Sequence, residues 1–223
     1  MRPSRALAVG LLGLLGVAAA RAGDAGGNWE RAFPIAAAPP QVHFRARYTD
    51  EAGRAHRLEV WRQSDVRLRR TTDRAIDLYV EKSPSGEYAY RLIDHERKLL
   101  INADRTALYR IGIFSDWTSL AHVLEVPRGK YAVGPASRQS PASLRGECGW
   151  QHLERSLPAA SASDVCWSSR WGLPLEIATA NEEGASRFSI EEVGTFTPGP
   201  EIFAIARDGL VEIDAGSEEE AAD

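Results

Sequence analysis

The residues able to do chemistry are few and dispersed. The five histidines stand at positions 43, 56, 95, 122 and 152, and the two cysteines are Cys148 and Cys166. A general base must lie within hydrogen-bond reach of the groups it serves and of one that orients it. Asp94-His95 is the most suggestive pair, but adjacent residues on a strand project to opposite faces, so the two do not form a dyad. A polar site needs convergence from further away, for example His95 near Asp73 or Asp77. Cys148 and His152 share one face of a strand, but no fourth ligand completes a metal-binding spacing. The chain has no Gly-x-Ser-x-Gly elbow, no His-Glu-x-x-His and no phosphate-binding glycine loop. The expectation is a protein without catalytic residues, metal or cofactor, whose function is binding.

The start of the chain bears on the cysteines. Arg2 and Arg5 precede an apolar run from Ala6 to Ala20, and Ala20-Arg21-Ala22 supplies the small-x-small pattern of a cleavage site. That run of 15 residues is shorter than the roughly 20 that a spanning helix needs. Residues 1–22 therefore read as a secretory signal peptide, and the expected destination is the periplasm. An even cysteine count in an exported protein favours a Cys148–Cys166 disulfide. The leader carries three arginines and no acids, so its removal takes the formal net charge from −4 to −7. A nucleic-acid partner is disfavoured by that sign, since such binders carry a basic face.

Residues 23–41 are rich in Gly, Ala and Pro and end in Pro39-Pro40, which reads as an irregular lead-in. From Val42 the pattern alternates apolar and polar residues, the period of a half-buried strand. Val42 to Tyr48, Leu58 to Trp61, Val66 to Arg69, Ile76 to Val80, Tyr88 to Ile93, Leu99 to Ile101 and Ala107 to Ile111 form a series of strands. Trp117, Leu120, Ala121 and Leu124 instead fall on one face of a helix over 114–124, capped by Ser115 or Asp116 and stopped near Pro127 and Gly129. His122, on the same helix, packs inward or faces water. Gly134 to Ser143 reads as a loop. Strands resume at Gly149 to Glu154, Val165 to Trp171, Leu175 to Ala178 and Phe188 to Val193, with a turn at Asn181-Glu182-Glu183-Gly184. Residues 206–223, with Glu218-Glu219-Glu220, read as an acidic disordered tail.

Arg45, Arg47, Arg67, Arg69, Arg70 and Arg91 interleave with apolar strand residues. They form a solvated sheet face or a strip that pairs with anionic lipid or helix carbonyls. A curled sheet can leave an apolar cavity, and tryptophans either fill or line it. By strand and helix periodicity the candidate lining is Trp61, Leu68, Trp117, Leu120, Ala121 and Leu124.

The order of elements resembles a known family. A signal segment, a long meander, one interrupting helix and further strands end in Phe188-Ser189-Ile190-Glu191-Glu192-Val193, then Pro198 and Phe203. This is similar to the closing strands of the periplasmic lipoprotein carriers, the LolA/LolB-like superfamily that includes the N-terminal domain of RseB. Arg67-Leu68-Arg69-Arg70 after Trp61 resembles its third-strand region, and Asp94 to Tyr109 its short strands ahead of the helices. The resemblance spans 42–205. It implies a mainly β fold: a curled antiparallel sheet, an unclosed half-barrel, with one or a few helices as a lid. It also implies a non-catalytic carrier that holds a lipid or lipoprotein acyl chain and touches a membrane transiently, with the helix from Trp117 to Leu124 as lid. The family opens with a helix before its first strand, from which the Pro-rich 23–41 departs. The alternative is an envelope regulatory or structural protein that binds another protein through a sheet surface.

Overall fold

A computed structural model of the protein describes residues 25–110, 117–127, 129–139, 144–156, 160–180 and 186–215. The leader, the Ser115/Asp116 cap, the Asn181–Gly184 turn and the Glu218–Glu220 run lie outside them.

Alternation of side chains produces the first sheet half. In β1 (Gln41–Thr49), Val42, Phe44 and Ala46 are buried while Arg45 and Arg47 are exposed. In β2 (Ala55–Gln63), Leu58, Val60 and Arg62 take the same inner face, with Phe44 opposite Val60 and Ala46 opposite Leu58. β3 (Arg67–Thr72), β4 (Ile76–Lys82), β5 (Tyr88–Asp94) and β6 (Leu99–Ala103) continue the meander. Two short helices follow, and then β7 (Tyr131–Pro135), β8 (Gly149–Arg155), β9 (Ser161–Ser168), β10 (Leu173–Thr179) and β11 (Ser186–Gly194) form a second meander. β11 pairs with β1 and joins the halves.

The result is one twelve-stranded sheet in the order β12-β6-β5-β4-β3-β2-β1-β11-β10-β9-β8-β7, with β12 the strand Val211–Asp214. β7 and β12 end the sheet without pairing to each other, so it is curled and unclosed. Every neighbouring pair is antiparallel except β12 beside β6. Register shifts at Arg45/Ala46, Pro174/Glu176 and Ile177/Ala178 insert the bulges that bend such a sheet.

The inner face holds the main core, which includes Val42, Phe44, Leu58, Val60, Leu68, Val80 and Phe188. Helix α3 (Trp117–His122) lies against it through Leu120 and Ala121. Cys148 and Cys166 are joined, with Cα atoms 5.3 Å apart, and tie the start of β8 to β9. No helix among the described residues is long and apolar enough to cross a membrane.

Four expectations are corrected. Residues Ala25–Ala32 form a helix, α1, inside the span read as irregular; Trp29 and Phe33, one turn apart, pack it against the second meander. Residues Arg105–Arg110 form helix α2, not a strand, because the Asp104 carboxylate accepts the Ala107 N–H at 2.7 Å and caps the turn. Part of the expected loop after Gly134 belongs to β7, where Pro135 is tolerated on an edge strand. The tail is ordered through residue 215 and folds back over the outer face. There Ile205 and Leu210 cover Tyr79, Ile93 and Leu100, and Asn102 donates to Glu212 at 2.6 Å.

Candidate functional site

Helix α1 is too short to hold itself together in water. Aromatic packing fixes it: Trp29 and Phe33 have ring centroids 4.5 Å apart, Phe33 meets Trp167 edge-on at 5.4 Å, and Trp29 meets Tyr131 at 5.7 Å. The Trp167 indole N–H donates to the Pro34 carbonyl at 3.0 Å, which satisfies the one polar atom of that ring. Between α1, the segment after it and the end of α3 lies a cleft of about 500 Å³. Trp29, Phe33, Pro34, Leu124 and Trp167 form its walls. Ile35 and Val126, 44% and 43% exposed, stand at its mouth. Its polar lining comes from Glu30, Thr118 and His122.

His122 is held from behind. Its Nδ1 lies 2.6 Å from the Gly172 carbonyl and 2.9 Å from the Arg62 guanidinium. One nitrogen cannot donate to the carbonyl and accept from the guanidinium together. The carbonyl can only accept, so Nδ1 carries the proton and donates to it. Arg62 spends its own protons on the Ala121 carbonyl at 3.0 Å and the Trp171 carbonyl at 3.1 Å. Burial, then the Arg62 charge, lowers the imidazole from its ordinary value near 6.5 to about 4, against the opposing pull of Gly172. Burial lowers Arg62 to about 10, which leaves it charged at neutral pH. Among the described residues no carboxylate pairs with it. Gly172 makes this approach feasible: its φ is +62°, and a Cβ there meets Ala38 at 3.0 Å and the His122 ring at 3.4 Å.

The candidate lining residues separate into three places. Leu68, Leu120 and Ala121 are buried in the main core, and Trp117 packs on its margin, stacked on Tyr88 at 5.1 Å. Leu124 belongs to the second cluster and lines the cleft. Trp61 is on the outer face, stacked on His43 at 4.9 Å with Arg69 5.2 Å from its ring. It alternates with Val60 and Arg62, so it cannot share their face. Trp167 is one of the tryptophans expected to fill or line a cavity, whereas Trp29 and Phe33, which carry much of the cleft, are not among the candidates; their spacing of one helical turn was the available signal.

The titratable groups elsewhere pair locally. His95 does reach Asp77, at 3.2 Å, but on the outer face, where Arg69 at 3.0 Å and Thr71 also bind that carboxylate. His56 meets Asp73 at 2.6 Å, and His152 meets Asp164 at 2.8 Å. Among the described residues no three His, Cys, Asp or Glu side chains gather closely enough to hold a metal ion. Arg69 donates to the Ile202 carbonyl at 3.3 Å, so part of the arginine strip anchors the returning tail.

No family model and no curated protein matches this chain. Among solved structures it is similar to an uncharacterized conserved protein from Thermus thermophilus, with TM-score 0.44 and 10% identity over 85% of this chain and 98% of that one. It is also similar to MucB, with TM-score 0.40 and 16% identity over 82% of this chain and 64% of that one. Both likenesses are of the chain trace alone.

Proposed function

We propose that this is an exported, non-catalytic binding protein of the periplasm that takes an apolar chain, such as a lipid or lipoprotein acyl chain, into the cleft between α1 and α3. The observation that carries the reading is the apolar cleft itself. Its volume of about 500 Å³ falls within the roughly 300–1,000 Å³ of small-molecule sites. Aromatic and aliphatic side chains wall it, and two large hydrophobics are left exposed at its mouth. The leader pattern and the Cys148–Cys166 pair support export. Membership of the lipoprotein-carrier superfamily is part of this proposal and rests on the order of elements.

The acyl chain lies at the α1 end of the sheet in this reading, because α3 side chains fill the inner face around Leu68. The test is titration of the exported protein with a single-chain amphiphile, followed by tryptophan emission, since Trp29 and Trp167 wall the cleft. Saturable uptake is expected. Ile35→Glu and Val126→Glu, at exposed positions, are expected to weaken it about tenfold each by placing charge at the mouth. No saturable change in the wild type, or full uptake by both variants, contradicts the reading.

A second reading is a protein-binding envelope factor. It is favoured by β12, an edge strand of four exposed residues that presents Val211 and Ile213 to solvent.

A further inference from the structure

We propose that the cleft selects an uncharged amphiphile whose head group donates a hydrogen bond, a hydroxyl or an amide N–H, over a carboxylate of the same chain length. This rests on the cleft being an apolar-ligand site, and it concerns what that site recognises. Three polar side chains reach the cleft: Glu30, Thr118 and His122. The Glu30 carboxylate only accepts, and it stands exposed at the rim. The Thr118 hydroxyl accepts or donates.

His122 sets the selectivity because its state is fixed from behind. It is only 8% exposed, and its Nδ1–H is committed to the Gly172 carbonyl at 2.6 Å. The Arg62 charge beside that nitrogen disfavours a second proton on the ring. Nε2 therefore carries a lone pair and accepts. Among the described residues the hydrogen bonds of the ring run through Nδ1, and His122 lines the cleft, which leaves Nε2 to a donor that enters there. A carboxylate entering here brings acceptors to an acceptor and negative charge toward Glu30; the Arg62 charge attracts it from behind the ring, but its N–H groups are bonded to the Ala121 and Trp171 carbonyls and offer it no hydrogen bond. A cationic head group meets the buried Arg62 charge, which no carboxylate neutralises among the described residues. A hydroxyl or amide N–H meets none of these penalties. Arg62 itself does not line the cleft; its guanidinium is bonded to the Ala121 and Trp171 carbonyls.

The experiment is calorimetric titration of the exported protein with dodecanol, dodecanoate and dodecyl methyl ether at neutral pH. Dodecanol is expected to bind roughly tenfold tighter than either of the others. In His122→Asn the amide N–H replaces Nδ1–H toward Gly172, and no acceptor remains at the Nε2 position. This variant is expected to abolish the preference, with dodecanol and the ether binding equally whatever the affinity of either. Tightest binding of dodecanoate overturns the inference, as do equal affinities across the wild-type series; in both cases the apolar-ligand reading stands. Binding of none of the three removes both together. If His122→Asn does not fold, the wild-type series decides alone.

Discussion

The buried Arg62–His122 pair gives the molecule a pH response of predictable sign. His122 titrates near 4 in the folded protein and near 6.5 when unfolded. Between those values the unfolded chain takes up a proton that the folded one refuses. Stability therefore falls as pH drops through that window, by on the order of 3 kcal/mol from this one group. Thermal melts from pH 7 to 4 should show the loss, and His122→Asn should remove its share while the carboxylates titrate as before; an unchanged slope in the variant contradicts the assignment. Arg62→Ala leaves the Ala121 and Trp171 carbonyls without their donor, and urea unfolding is expected to report a loss of about 3 kcal/mol. A loss below about 1 kcal/mol means water replaces the guanidinium. Neither role was legible in the sequence. Arg62 is one of many arginines on alternating strands, and the backbone carbonyls that fix its position are invisible before the chain folds.

Among the elements, strands with clear alternation were legible and short ones were not. β1 and β2 announce themselves because Val42, Phe44, Leu58 and Val60 recur every second residue over nine-residue strands. α1 shows only Trp29 within its eight residues and Phe33 directly after them, a spacing of one helical turn, among the Gly, Ala and Pro of its flanks. α2 was read as a strand because Ala107 to Ile111 is a short, mostly apolar run whose period does not separate strand from helix, while the decisive signal is one capping aspartate. The helix expected over 114–124 was likewise legible only in part: α3 ends at His122, Leu124 beyond it lines the cleft, and Leu120 and Ala121 serve the core. α1 depends on its aromatic anchors, so Trp29→Ala is expected to release it locally. Hydrogen exchange should speed up over residues 29–36 while β1 to β5 keep their protection. Equal acceleration in both regions contradicts local docking.

At the scale of the whole molecule, the unclosed sheet is held by its joins. β1 beside β11 unites the two meanders, the returning tail covers the outer face, and the disulfide ties β8 to β9. Cys148→Ser opens a loop with a sequence separation of 18 residues. It is expected to lower stability by roughly 3 kcal/mol in the chain-entropy model, read as an earlier urea midpoint with little change in slope. An unchanged midpoint means the strand pairing alone holds that edge. The sheet architecture and the cysteine pairing were legible because they follow from alternation and an even cysteine count. The cleft was not, because it forms where three segments distant in sequence meet: α1, the end of α3 and Trp167 of β9.

The most direct measurement is NMR of the tryptophan indole N–H signals as a spin-labelled acyl chain is added, since the six tryptophans report from separate places. An apolar chain in the cleft is expected to broaden Trp29 and Trp167 first and to leave Trp61, on the outer face, sharp. Broadening of Trp61 ahead of them, or six signals unaffected at saturating label, contradicts binding between α1 and α3.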